Sequence, residues 1–144
     1  MKYGKLELRT DLYSNYRAEI IGNTVYIFNR FFSYKYHVEN KTLEFLSEYI
    51  VKEFISSFKA NNDIYAIDED FKISILNTNT GNWNELIEYP GNKSEDIITF
   101  VNEGKVYIGL SYSQFSPGKI TYLDMYEFDI STFEWKRLKD FQRS

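Results

Sequence analysis

The chain repeats itself, and a repeat of fixed period restricts the possible folds more than any other feature of a sequence. Three segments, "AEIIGNTVYIFN", "SSFKANNDIYAID" and "ITFVNEGKVYIGL", follow one plan. Each has a short apolar run, a polar turn, then a second run with tyrosine at its second apolar position. The turns are Gly22-Asn23, Asn61-Asn62-Asp63 and Asn102-Glu103-Gly104, residue types that tolerate the positive φ of tight hairpins. The tyrosines stand at 26, 65 and 107, about 40 residues apart.

A second hairpin follows in each unit. "YHVENKTLEFL", "SILNTNTGNWNEL" and "YEFDISTFEWKRL" superpose, with Glu39, Asn77 and Asp129 each six residues before an aromatic, Phe45, Trp83 and Trp135. A strand, a polar turn and an aromatic-bearing strand make a hairpin, so each unit is four short strands. Composition agrees. The chain holds 13 Tyr and 12 Phe and hardly any alanine, the balance of strands rather than helices. The one stretch with helical spacing, Leu43 to Phe58, is rich in β-branched and aromatic residues. It reads as the end of one unit, a connector and the start of the next.

Four strands per unit, tyrosine in the second and tryptophan in the fourth, resemble the blade of a kelch-type β-propeller. The residues that carry the likeness are Tyr26, Tyr65 and Tyr107, then Trp83 and Trp135, with Phe45 in the tryptophan's place in unit one. Arg17 stands where that family often has an arginine. The family's glycine pair after the second strand is replaced by Phe28-Asn29, Ile67-Asp68 and Gly109-Leu110, so only Gly109 survives. The resemblance implies an all-β, propeller-like array of about three four-stranded antiparallel blades, with the tryptophans packed between sheets. The units fall at 15–49, 54–90 and 96–141 within one domain of 1–144, with an extra N-terminal strand at 2–10.

Three blades are fewer than the four to eight of a usual ring. Two chains can complete one ring, the chain can belong to a longer protein, or the short sheets can stack without closing. A homodimer is the expectation, because open sheet faces and edges invite association.

In a four-stranded meander, the loops between second and third strands share one end with the blade-to-blade connectors. That end collects "NRFFS", "DEDFK" and "SYSQFSPGK". Long loops on a rigid scaffold are where binding concentrates, and aromatic side chains give large contact area at small entropic cost. The expected partner-binding residues are Arg30, Phe31, Phe32, Asp70, Phe71, Tyr112, Gln114 and Phe115. The competing outcome is that Phe31, Phe32 and Phe115 fold back over the sheets.

Other chemistry finds little footing. The net charge is −4, so there is no basic surface for nucleic acid. No cysteine is present and His37 is the only histidine, which argues against a zinc centre. The acidic run at Asp68, Glu69 and Asp70 lacks the glycine and closing glutamate of a calcium loop. No phosphate loop, dinucleotide fingerprint or nucleophile elbow occurs, so no cofactor is expected. The start "MKYGKLELRT" has no apolar core of a secretory signal, and no apolar run could span a bilayer. A cytoplasmic, non-enzymatic module that binds another protein through its loop face is the leading expectation. A carbohydrate- or small-ligand-binding propeller is the alternative, and a hydrolase on the same scaffold ranks below both.

Overall fold

The computed structural model describes residues 15–113 and 121–140. Among them there are twelve strands and no helix. The first sheet is built from β1 (Arg17–Ile21), β2 (Thr24–Phe28), β3 (Phe32–His37) and β4 (Thr42–Glu48). The second follows with β5 (Phe54–Ala60), β6 (Asp63–Asp68), β7 (Lys72–Leu76) and β8 (Trp83–Glu88). The third contains β9 (Asp96–Asn102), β10 (Lys105–Tyr112), β11 (Met125–Asp129) and β12 (Glu134–Arg137). Each sheet is an antiparallel meander in chain order. The expected extra strand at 2–10 lies outside the described residues.

Turn chemistry sets these hairpins. Asn61 and Asn62 both have positive φ, as do Glu103 and Gly104, the geometry a two-residue hairpin loop needs to match strand twist. The second hairpins close on a left-handed residue too: Lys41, Gly81 and Phe133. Asn77 Oδ1 accepts from the Asn79 and Thr80 amides, and Asp129 Oδ1 accepts from Ser131 and Thr132, so each side chain pins its own turn.

Hairpin register corrects one alignment made from sequence. His37 pairs with Thr42 where Asp129 pairs with Glu134, so Leu43, not Phe45, occupies the position of Trp83 and Trp135 in the first sheet. A two-residue slip leaves side chains on the same face, and the sequence pattern is therefore blind to it.

Every sheet has a front, facing the next sheet, and a back. The front of the first presents Tyr26 and Phe28 to Phe54, Ile64, Ala66 and Leu76 of the second, with Trp83 packed on them. The front of the second presents Phe58, Tyr65, Ile67 and Ile73 to Ile97, Val106, Ile108 and Phe128 of the third, with Trp135 alongside. Burying an aromatic or branched side chain contributes about 1.5–3 kcal/mol, so these two seams carry the stability of the array. The three first strands, β1, β5 and β9, are neighbours along one side of the stack.

Candidate functional site

The loop end is held together by backbone bonds between each connector and the loop of its own sheet. Tyr49 N donates to Phe31 O and Val51 N to Arg30 O, Tyr89 N donates to Phe71 O, and Glu95 N to Tyr112 O. Asn29 begins the first loop: its Oδ1 accepts from the Phe31 and Phe32 amides at 2.8 and 2.9 Å. Asp68 does the same for Asp70 and Lys72 at 2.9 and 3.0 Å. Burial raises the Asp68 carboxyl above its ordinary range, and those two donated hydrogen bonds offset part of the rise. This acidic loop is therefore a self-capped turn, and among the described residues no cluster of His, Asp and Glu could hold a metal ion.

The structure divides the expected partner-binding residues. Phe32 and Phe71 are each 3 % exposed, so their side chains offer no contact area to a partner. Phe71 takes a left-handed backbone (φ 62°), and its ring packs 6.2 Å from that of Tyr89. Arg30 and Phe31 are half-buried, with the guanidinium 5.1 Å from the Phe31 ring centre. Asp70 is exposed and its carboxylate is 3.9 Å from the Lys52 ammonium. Tyr112 is half-buried at the end of β10. Gln114 and Phe115 lie outside the described residues.

The sequence reading missed Ile50. It sits between Tyr49 and Val51, whose amides hold the connector against Phe31 and Arg30, and it is 82 % exposed. These backbone bonds bring Ile50, Phe31 and Arg30 together at the mouth of the first sheet. An isoleucine inside an apolar connector gives no signal that it points outward.

The seams end in polar groups at this same end of the array. At the first, Trp83 Nε1 donates to Tyr49 Oη at 2.9 Å, and that hydroxyl is 2.8 Å from both Asn29 O and Phe32 O. Burial pushes the Tyr49 hydroxyl well above its ordinary value, so it remains a donor. At the second seam, Tyr89 takes the place of Tyr49. Its hydroxyl, Asp124 Oδ1 and Trp135 Nε1 are all buried with no hydrogen-bond partner among the described residues.

Asp124 Oδ2 does accept from Asn92 N at 2.9 Å. Burial first, and then the nearby Asp124 carboxylate, raise the Tyr89 hydroxyl, although no well-aligned hydrogen bond joins the two. Both groups flank Gly91, where a Cβ would stand 2.2 Å from Tyr89 Oη and 2.6 Å from Asp124 Oδ2. The backbone is strained beside them. Leu110 has φ 51°, and its amide donates to Asp124 O at 2.9 Å. Gly109 is required next to it, because a Cβ there would lie 2.4 Å from Asp124 O.

His37 is half-buried and 3.3 Å from Glu44 Oε2, an ordinary cross-strand pair. Both tryptophans are half-buried against rings of the seams. Trp83 packs 4.9 Å from Phe28 and 4.8 Å from Phe54, and Trp135 packs 4.5 Å from Phe128.

No family model and no curated protein matches this chain. Solved structures do. The structure of YjhT superposes with a TM-score of 0.68 at 16 % identity, over 88 % of this chain and 51 % of that one. The N-terminal domain of Nup159 gives 0.52 at 12 % identity, over 88 % of this chain and 30 % of that one. The extracellular domain of the putative one-component system BT4673 from B. thetaiotaomicron gives 0.55 at 17 % identity, over 94 % of this chain and 18 % of that one. The chain thus spans about half the length of YjhT and smaller shares of the others. At these identities the likeness is one of fold: an all-β partial propeller of three four-stranded antiparallel sheets.

Proposed function

We propose that the chain is a non-enzymatic binding module that takes another protein at the mouth of its first sheet, through Ile50, Phe31 and Arg30. The observation that carries this reading is Ile50, the most exposed large hydrophobic side chain among the described residues. It stands next to an arginine resting on an aromatic ring, and Arg and aromatic anchors around an apolar centre dominate protein interfaces. The Lys52–Asp70 pair supplies a polar rim.

The test is capture of a defined partner from cell extract, followed by its dissociation constant with purified protein. Ile50→Asp should weaken binding by about a hundredfold and Phe31→Ala by about tenfold. Unchanged affinity in both variants would overturn the reading.

A second reading, a small polar ligand between the second and third sheets, is favoured by the three buried and unpartnered atoms of Tyr89, Asp124 and Trp135. Such a ligand would donate to the carboxylate and accept from the indole. A panel of amines and polyols that raises the melting temperature of the wild type, but not of Asp124→Asn, would favour it over the first.

A further inference from the structure

Among the described residues, nothing covers the two terminal faces of the array. Hydrogen-bond register defines equivalent positions in the first strands. Glu19, Phe58 and Phe100 each pair across to the tyrosine of their sheet, at 26, 65 and 107. The fronts of these strands therefore carry Arg17, Glu19 and Ile21, then Ser56, Phe58 and Ala60, then Ile98, Phe100 and Asn102. Their backs carry Ala18 and Ile20, then Ser57 and Lys59, then Thr99 and Val101.

Inside the chain, like meets like. Polar side chains on the front of the first strand meet those on the back of β5: Ser57 Oγ donates to Glu19 Oε1 at 3.1 Å, and Lys59 Nζ reaches Ile20 O at 2.8 Å. The mixed front of β5 meets the mixed back of β9, with Ser56 Oγ and Thr99 Oγ1 2.8 Å apart. One front and one back remain: Ile98 and Phe100, with Asn102 and the Lys105–Glu127 ion pair beside them, at one end, and the apolar Ala18 and Ile20 at the other.

The third front also repeats a packing unit in full. Phe58 and Tyr65 stack at 5.1 Å and 10°, and the third sheet covers them. Phe100 and Tyr107 stack in the same way, at 5.0 Å and 15°, yet Phe100 is 46 % exposed. On the first back, Ile20 is 48 % and Phe45 54 % exposed. Stacked rings without a cover at one end and uncovered apolar residues at the other are what a cut across a continuing array leaves behind.

We infer that the occupant of these faces is a second copy of the chain. The front of each third sheet, at Ile98 and Phe100, packs on the back of the partner's first sheet, and two such head-to-tail contacts close six sheets into a ring. The extent of the fold fits: three sheets superpose on 51 % of YjhT, so that structure carries about as much chain again beside the matched part. This inference rests on different residues from the loop-end site, Ile98 and Phe100 on one face and Ala18 and Ile20 on the other.

Light scattering at tens of micromolar should give the mass of two chains. Phe100→Lys, on the front, and Ile20→Glu, on the back, should each give folded monomers, with association weakened at least about a hundredfold. Mixing the two variants should restore the two-chain mass. One contact in the mixed pair is then wild type, and the other sets the introduced lysine of one variant against the introduced glutamate of the other. Phe100→Ala, which only removes area, should fall between, and circular dichroism confirms that each variant is folded. A monomeric wild type, an open-ended series of masses, or a dimer insensitive to Ile20→Glu would overturn the proposal. The last result would mean a symmetric front-to-front contact instead.

Discussion

The two seams are built from equivalent parts, and they end differently. In each, a connector tyrosine meets the tryptophan of the outermost strand. Tyr49 completes a chain of hydrogen bonds from Trp83 to the carbonyls of Asn29 and Phe32. Tyr89 sits 5.9 Å from Trp135 ring to ring, and neither polar group has a partner among the described residues. The difference begins in the connectors. Tyr49 is followed by Ile50-Val51, which runs along its own loop, whereas Tyr89 is followed by Pro90-Gly91, which runs against Asp124 from the third sheet. A repeat thus fixes where an aromatic stands, while the neighbouring loop decides what its polar end can bond.

The sharpest way to break the well-bonded seam is through Gly81. Its φ of 79° is left-handed, and a Cβ there would meet Ser33 Oγ at 2.3 Å and Leu46 Cβ at 2.5 Å. Gly81→Ala should cost about 3 kcal/mol in denaturant unfolding, combining backbone strain with overpacking. A cost under about 1 kcal/mol would show that the first two sheets can slide apart.

Next in size is the contrast between the two tyrosines. Tyr49→Phe strands the Trp83 indole and should cost about 1–3 kcal/mol, while Tyr89→Phe removes a buried hydroxyl that has no partner among the described residues and should leave stability unchanged or raise it. Equal costs would mean that the second seam is bonded as well as the first.

The smallest effect separates two carboxylates that cap turns. The raised Asp68 carboxyl holds its proton more tightly in the folded chain than in the unfolded one. Its contribution is therefore full below the ordinary aspartate range and is lost as pH rises through the raised value. Asp68→Asn keeps the acceptor oxygen, so the variant should gain slightly at neutral pH and lose that advantage in acid. Asp129 is held low, first by the Ser131 hydroxyl, so its contribution is present above the ordinary range and lost as pH falls through the lowered value. Asp129→Asn should shift stability the other way. Parallel melting curves across acid and neutral pH decide between these signs.

The fold was legible because its signals are local. Turn residues at Asn61-Asn62 and Glu103-Gly104 and tyrosines at one period mark strands with no knowledge of tertiary contacts. The register of the first sheet was not, since Leu43 and Phe45 share a face and only hydrogen bonding tells them apart. Loop-end placement follows from meander geometry, but whether Phe32, Phe71 or Ile50 faces outward depends on loop conformation, which a sequence pattern does not carry. One missed signal was present. Glu48-Tyr49 and Glu88-Tyr89 recur at the repeat period and mark the connector tyrosines of both seams.

The distinct front and back of each sheet give the array a direction, and direction makes its length adjustable. An extra unit spliced between the second and third sheets would need a back that accepts Ser56 and Phe58 and a front that accepts Thr99 and Val101. The outermost faces would be untouched. A chain of this kind can gain or lose an internal unit by in-frame duplication or deletion while its two outermost faces stay the same.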